Sequence, residues 1–167
     1  MEHLYAPWRE VYHKEHHKEK SIEGCVFCNI TQNPELDEQN QVLYRDEICF
    51  IVMNRYPYTP GHFMVIPHKH TANLEELAQE EFLHISKFVQ SGVALLKKEM
   101  GAAGVNIGMN LGVQAGAGIA EHIHYHLIPR WRGDTNFITT IGETRVYGND
   151  FEELYQYLKS KGMNYFN

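Results

Sequence analysis

Five segments of the chain combine β-branched or large apolar residues with flanking Gly, Pro or Asp, a pattern that predicts β-strands. The predicted strands span 41–45, 48–53, 62–67, 105–109 and 123–128. Between the third and the fourth, apolar residues recur every three or four positions, as on the buried face of a helix. These residues are Phe82, Ile85, Val89, Val93, Leu96 and Met100, and Gly101 supplies a stop signal. A short turn is predicted over 74–77 and a last helix over 151–159.

One long helix packed on an antiparallel sheet of about five strands, with short helices beside it, predicts an α+β layer fold. The 167 residues suffice for one domain with one core. We divide the chain into a polar N-terminal arm (1–24), a main domain (25–147) and a C-terminal helix and tail (148–167). In the arm, His13, His16 and His17 stand among lysines and glutamates. This context indicates a solvated face rather than metal ligands.

Charge and hydropathy argue against two classes of protein. The formal charge of -6 disfavours a protein that coats nucleic acid, because such binding rests on Lys and Arg that neutralise phosphates. No apolar run approaches the roughly 20 residues that a membrane helix requires, and the first residues lack the pattern of a signal peptide. We therefore expect a cytoplasmic protein with no stable nucleic-acid or membrane partner.

The segment 122–130 carries the strongest chemical signal. His122, His124 and His126 alternate with apolar residues, and in a strand this alternation places three imidazoles on one face, roughly 7 Å apart. Imidazole titrates near neutral pH and acts as nucleophile, proton donor or metal ligand. The spacing therefore predicts a reactive centre, with the polar face of an exposed strand as the alternative.

The cysteines suggest a second site. Cys25 and Cys28 have metal-ligand spacing, and His70 and His122 could complete a tetrahedral zinc site. A pair of buried thiols and a redox pair are the alternatives, although no thioredoxin-like strand–helix unit accompanies the cysteines. Cys49 lies in an apolar run and is predicted to be a small core residue.

The motif His-x-His-x-His, followed by two apolar residues and Pro-Arg, resembles the histidine triad family of nucleotide hydrolases and transferases. The segment 54–67 looks like the nucleoside-binding strand pair of that family. The segments 110–112, 115–122 and 129–137 are similar to the branch that contains bacterial diadenosine tetraphosphate phosphorylases and hydrolases. In the arm, 4–9 resembles a segment that precedes the domain in the same branch, and its Trp8 is expected to dock on the domain.

The resemblance implies a histidine triad fold, usually a homodimer with the long helix and a sheet strand at the interface. It also implies that His124 attacks the α-phosphorus to give a nucleotidyl-histidine, which phosphate or water then cleaves. His126 would stabilise phosphate oxygens or protonate the leaving group, and His122 completes the catalytic triad. In many bacterial members Cys25, Cys28, His70 and His122 correspond to the ligands of a zinc ion. Four protein ligands would make that site closed and structural.

The resemblance further implies binding roles. Asn54 matches a ribose-binding position and His62 would help to place the phosphates. Backbone donors for phosphate are expected where residues are small, at Asn110, Gly112, Gly116 and Gly118. Arg130, Arg132 and Asn136 are candidates for the outer phosphates, or alternatively anchor their loop. Phe50 and Ile51 either border the base or belong to the core.

The chain departs from the wider family just before the triad, where a glutamine and a hydroxyl residue are common. Residues 117–119 are Ala, Gly and Ile, which favours the phosphorylase-like branch. The preferred function is therefore cleavage of dinucleoside polyphosphates, most of all diadenosine tetraphosphate, by phosphorolysis or hydrolysis. The alternatives are a nucleoside phosphoramidate hydrolase, a non-catalytic nucleotide sensor and a zinc-stabilised nucleic-acid module.

Overall fold

The structure, a computed structural model, describes residues 24–142 and 148–167. It contains one antiparallel sheet in the order β1-β2-β3-β5-β4. The strands are β1 (Val42–Arg45), β2 (Cys49–Met53), β3 (Phe63–Pro67), β4 (Gly104–Gly108) and β5 (Tyr125–Arg130). The predicted α+β fold is therefore confirmed. Nearly all of the N-terminal arm, including Trp8, His13, His16 and His17, lies outside the described residues.

The strand that carries the histidines begins later than predicted. β5 begins at Tyr125, so that His122 and His124 precede it and the triad does not occupy one face of one strand. The physical reason is a hydrogen bond outside the sheet, since the backbone N–H of Ile123 donates to the carbonyl oxygen of Thr71 at 2.8 Å. His122 is thereby free to face a different site from the other two histidines.

The long helix α2 (Gln79–Glu99) covers one face of the sheet. Its N-terminus is held by the carboxylate of Glu81, which accepts a hydrogen bond from the backbone N–H of Ala78 at 2.8 Å. The positive charges of Lys97 and Lys98 in the last turn stabilise the helix by interacting with the negative end of its dipole. The buried residues of α2 are Ile85, Phe88, Gly92, Leu95 and Leu96.

Gly92 allows α2 to lie close to the sheet. A Cβ atom at this position would lie 2.7 Å from Cδ2 of Leu127 on β5 and 2.9 Å from Cζ of Phe63 on β3. Carbon atoms pack without repulsion at about 3.5–4.0 Å, so only glycine fits here. The absence of a side chain thus sets the distance between the helix and the two central strands.

A short helix, α1 (Val26–Gln32), packs on the opposite face of the sheet. Phe27 and Ile30 of α1 are buried against Phe50, Val52 and Ile66, in a second apolar cluster. The sequence pattern did not predict this helix. Cys25 at its N-cap makes no side-chain cap, and its first turn has no acidic residue, so the usual start signals are missing.

The C-terminal region completes the core on the side of α2. The predicted last helix is confirmed and is longer than expected, as α4 (Phe151–Gly162). Asp150 caps α4 by accepting a hydrogen bond from the backbone N–H of Glu153 at 2.9 Å. Tyr155 is fully buried in the same core as α2, and its hydroxyl donates to the carbonyl oxygen of Val42 on β1 at 3.3 Å.

A further helix, α3 (Phe137–Ile141), was not predicted. It has only five residues, too few for a recognisable helical period. Asn136 caps its N-terminus, because the side chain of Asn136 accepts from the backbone N–H of Ile138. Within the two described ranges, none of the helices has an apolar stretch of the length that a membrane span requires.

Candidate active site

A cavity of about 710 Å³ lies on the sheet face opposite α2. His124 and His126 line it on the β5 side. Val26, Phe27 and Ile30 of α1 form an apolar wall, continued by Val52, Met64 and Ile119. The polar part of the lining comes from Gln39, Asn40, Gln41, Asn54, Arg55, Tyr56, Tyr58 and Asn110. The cavity thus joins an apolar slot to a pair of imidazoles.

His124 presents one defined nitrogen to this cavity. Its Nδ1 lies 2.9 Å from the carbonyl oxygen of His122, which can only accept, so that Nδ1 carries the proton. The ring is 6% exposed. Burial lowers the pKa of His124, against the opposing effect of the hydrogen bond to His122. At neutral pH the ring is therefore neutral, and Nε2 holds a free lone pair.

His62 and His126 form a second fixed pair. The backbone N–H of Tyr58 donates to Nδ1 of His62 at 3.2 Å, so that His62 carries its proton on Nε2. That nitrogen lies 2.9 Å from Nδ1 of His126 and donates to it. His126 must then carry its own proton on Nε2. Tyr58 thus fixes the tautomers of two rings in succession.

Burial keeps this pair neutral. It lowers the pKa of His62 to about 3, with further contributions from His126 and His124. It lowers the pKa of His126 to about 4, and the neighbouring His124 adds to the effect. The rings of His124 and His126 are 4.8 Å apart between centroids. The site therefore offers a lone pair and an N–H donor side by side.

The first histidine of the triad faces a different site. Nε2 of His122 lies 2.8 Å from the carbonyl oxygen of Pro67, so that Nε2 is protonated and Nδ1 is not. Nδ1 lies 3.4 Å from Sγ of Cys25 and 3.7 Å from Sγ of Cys28. Nδ1 of His70 lies 3.1 Å from Sγ of Cys28. The four residues predicted as metal ligands are therefore brought together.

These four residues suit a zinc ion. Their ligand atoms all lie within 4.8 Å of one another, and two sulfurs with two imidazole nitrogens form a common structural zinc set. Burial, together with the neighbouring Cys25 and Glu121, raises the pKa of the Cys28 thiol to about 11. A cation among the four atoms would offset the repulsion between the thiolates. The hydrogen bond from His122 to Pro67 also leaves Nδ1 available as a ligand.

The predicted nucleotide-binding residues divide into two groups. Asn54, Asn110, Gly116 and Gly118 line the cavity. Gly112 does not line it but shapes the loop, because it has φ +84° and its carbonyl oxygen accepts from the backbone N–H groups of residues 115 and 117. The structure thus brings most of the predicted small residues to the histidines.

Arg130 and Arg132 are not among the residues that line the cavity. Nε and NH2 of Arg130 donate to the two carboxylate oxygens of Asp134 at 2.6 and 2.8 Å. NH1 donates to Asn106 at 2.9 Å. The hydrogen bond to Asp134 raises the pKa of Arg130. This geometry matches the alternative that Arg130 anchors its loop.

Several cavity residues were missed by the sequence analysis. Phe50 and Ile51, considered for the base, are fully buried in the core, whereas Val26, Phe27 and Ile30 line the cavity. Val26, Phe27 and Ile30 have helical spacing within and after the Cys-x-x-Cys motif, and this spacing could have predicted that they share one face of a helix. Phe151, far along the chain, also lines the cavity. No local pattern could have placed it there.

A third polar cluster lies away from the cavity. Nε2 of His84 on α2 lies 2.5 Å from Asp46, and Asp46 also accepts from the backbone N–H groups of residues 48 and 49. Cys49 beside them is fully buried, as predicted, and burial raises the pKa of its thiol. Because these groups satisfy one another, the cluster fastens α2 to the turn between β1 and β2.

Comparison with known proteins places this arrangement in a family. The model of the HIT domain matches residues 35–133. The chain belongs to the HIT domain family. A HIT relative named AP-4-A phosphorylase, from Mycobacterium tuberculosis, is 37% identical over 149 residues, which are 87% of this chain and 76% of the relative. The bis(5'-nucleosyl)-tetraphosphatase [asymmetrical] of Schizosaccharomyces pombe is 34% identical over 95 residues, 57% of this chain and 52% of that protein.

Solved HIT structures share the fold. A Zn-bound histidine triad family protein from Mycobacterium smegmatis superposes with a TM-score of 0.69 at 29% identity, over 84% of this chain and 94% of that one. A hypothetical histidine triad nucleotide-binding protein from Sulfolobus tokodaii gives 0.67 at 31% identity, over 84% and 93%. These neighbours confirm the HIT-like α+β fold that the sequence predicts.

Proposed function

We propose that this HIT protein cleaves dinucleoside polyphosphates, with diadenosine tetraphosphate as the preferred substrate, through a nucleotidyl-histidine at His124. The observation that carries the proposal is the pair of fixed tautomers: a lone pair on His124 Nε2 beside an N–H on His126 Nε2. Two relatives named for tetraphosphate chemistry support the substrate class.

The first step follows from the ring orientations. Nε2 of His124 attacks the α-phosphorus, a P–N bond forms, and the P–O bond to the polyphosphate leaving group breaks. The positive charge that develops on the ring is stabilised by the Nδ1–H bond to the carbonyl oxygen of His122. A polyphosphate is a weak base and leaves without a proton. The neutral His126 therefore needs only to donate a hydrogen bond to a phosphate oxygen.

The second step restores the enzyme. Phosphate or water attacks the phosphorus, the P–N bond breaks, and the electron pair returns to Nε2 of His124. When water attacks, its proton leaves with the products or solvent. His62 keeps His126 in the required tautomer during both steps and is a positioning residue.

The nucleoside half of the substrate fits the cavity. Its base would occupy the slot between Val26, Phe27 and Ile30 of α1 and the sheet, and its ribose would meet Asn54. Asn110 and the glycine loop 116–118 would supply donors to the α-phosphate. Arg132 remains our candidate for the outer phosphates, which extend beyond the cavity, and Arg130 is a weaker one because Asp134 occupies its guanidinium.

We propose that Cys25, Cys28, His70 and His122 hold a structural zinc ion. A Zn-bound HIT neighbour and the donor set support this assignment. The ion would neutralise the thiolates and fasten α1 to the segments that carry His70 and His122. His122 thus serves the metal site and supplies a carbonyl oxygen to the catalytic one, instead of facing the substrate.

We also propose a homodimer that uses the exposed edge of β4. Asn106, Ile107 and Gly108 are exposed, and β4 is an edge strand of the sheet. Exposed edges are sites at which a second chain can pair. Ile107→Lys should shift the protein toward monomer in sedimentation velocity, whereas an unchanged mass would place the interface elsewhere.

Product analysis tests the proposed activity. The protein is incubated with diadenosine tetraphosphate, with and without inorganic phosphate, and the nucleotides are separated. ADP plus ATP that depend on phosphate indicate a phosphorylase, and AMP plus ATP indicate a hydrolase. Two ADP would also indicate a hydrolase, but they would contradict attack at the α-phosphorus. No cleavage of this substrate, together with turnover of a nucleoside phosphoramidate, would overturn the proposal.

A further inference from the structure

The Cys/His cluster and the cavity share one wall. Cys25 and Cys28, whose sulfurs face His122 and His70, flank Phe27, which lines the cavity. The ring of Phe27 lies 5.5 Å from that of His122 and 5.1 Å from that of His124. The same turn of α1 therefore contacts the metal ligands on one side and the nucleophile on the other.

His122 provides a second connection. Its ring belongs to the cluster, and its carbonyl oxygen accepts the hydrogen bond that fixes the tautomer of His124. A movement of His122 therefore moves the acceptor that orients the proposed nucleophile. Two paths, the Phe27 ring and the His122 backbone, lead from the cluster to His124.

The N-terminal end of α1 depends on the cluster. The C-terminal end is held by Arg45, whose guanidinium donates to the carbonyl oxygens of Ile30 at 2.8 Å and Thr31 at 3.4 Å. At the other end, Cys25 provides no side-chain cap and the first turn has no acidic residue. A helix of seven residues is too short to be stable by itself. The cysteines therefore act together with the apolar packing of Phe27 to fasten the end of α1 that carries Val26 and Phe27 of the cavity wall.

We propose that Cys25, Cys28 and His70 are positioning residues for nucleotide binding, acting through Phe27 and His122, so that metal occupancy of the cluster controls nucleotide affinity and the orientation of His124. This inference rests on the proposed function for its effect on turnover, but its effect on binding can be measured with AMP alone. A closed site that adjoins the cavity without lining it would thus govern nucleotide binding.

The decisive variant is His70→Ala. His70 is exposed and does not line the cavity, so that its removal can act on nucleotide binding only through the cluster. Lys69→Ala is the matched control, since Lys69 is the exposed neighbour and bonds to the carbonyl oxygen of Glu76. Both variants are compared with wild type, loaded with zinc and after treatment with a chelator.

Three measurements are made at 25 °C on these proteins: AMP affinity by calorimetry, amide hydrogen exchange of residues 26–32, and the ¹⁵N shifts of the His124 ring. If α1 is in place for only a tenth of the time, the apparent Kd for AMP rises about tenfold. We expect this rise in Kd for His70→Ala and for wild type stripped of metal. Both proteins should also show faster amide exchange in α1 and altered His124 shifts. In stripped wild type, addition of zinc should reverse all three changes. Lys69→Ala should match wild type.

Other results would overturn the inference. One is a lower melting temperature of His70→Ala with unchanged AMP affinity and His124 shifts, which would reduce the cluster to a purely structural role. Another is an equal loss in Lys69→Ala. If chelation unfolds the whole protein, the test rests on the AMP affinity and His124 shifts of His70→Ala alone, because this variant keeps three of the four ligands. Failure of diadenosine tetraphosphate cleavage in wild type would contradict the proposed function and leave the AMP result intact.

Discussion

Nε2 of His62 lies 2.9 Å from Nδ1 of His126, and His62 is fully buried. One proton lies between the two neutral rings. One more proton would bury a positive charge, and protonation of both rings would place two positive charges side by side away from water. The low pKa values of about 3 and about 4 follow from this burial and proximity.

This pair should make stability depend on pH. In the unfolded chain both histidines titrate near about 6.5, well above their pKa values in the fold. Between pH 6.5 and about 4 the unfolded state therefore binds more protons, and the free energy of unfolding decreases as the pH falls. Urea unfolding at pH 7.5 and 5.0 measures the decrease, which should be smaller in His62→Leu. An equal decrease in the variant would contradict the assignment.

Replacement of the nucleophile should abolish turnover. His124→Asn removes the Nε2 lone pair, and a loss of about 10³-fold or more in kcat is expected for a covalent nucleophile. AMP binding should be retained because the α1 wall and the Asn110 loop remain. Rapid-quench assays of cleavage with calorimetry of AMP measure both quantities. Turnover within tenfold of wild type would exclude His124 as nucleophile.

Zinc analysis tests the cluster directly. Purified protein should carry about one zinc per chain, and Cys28→Ser should lose the metal and melt at a lower temperature, because metal binding contributes to folding free energy. Cys49→Ser is the matched control, since Cys49 is buried outside the cluster. It should keep its zinc whatever its stability. A zinc-free wild-type protein that was never exposed to a chelator would contradict the metal assignment.

Two variants distinguish whether Arg130 anchors its loop or binds phosphate. If Arg130 anchors the loop, Arg130→Gln and Asp134→Asn should each lower the free energy of unfolding by about 1 kcal/mol and leave the ratio of diadenosine tetraphosphate to AMP affinity unchanged. If Arg130 binds phosphate, only Arg130→Gln should weaken the longer ligand selectively. Chemical denaturation and competition binding distinguish the two.

The close approach of α2 predicts a sensitive position. Gly92→Ala would place a methyl group 2.7 Å from Leu127, and overpacking of this kind costs about 1–3 kcal/mol. At Gly104 the nearest atom to an added Cβ lies 3.9 Å away, so that Gly104→Ala serves as the control with little effect. Urea denaturation compares the two. Similar stabilities would mean that α2 shifts to accommodate the methyl group.

The sequence predicted the parts that depend on local periodicity. The apolar spacing from Phe82 to Leu96 marked α2, and the four cluster residues were found from ligand spacing and family resemblance. It did not predict that His122 would face away from His124, because the hydrogen bond between Ile123 and Thr71 is a long-range contact. For the same reason the contribution of Phe151 to the cavity was not visible.

The position of Phe166 has a consequence for how the protein is made. Its ring is 1% exposed and lies 6.4 Å from Phe63 and 6.1 Å from Phe88, measured between centroids. The strands of the sheet and α2 all precede Phe166 in the chain, so that they are synthesised before the ring that covers Phe63 and Phe88. A chain that ends before Phe166 would therefore leave an open apolar surface between the sheet and α2, and such a product would be prone to aggregation and degradation.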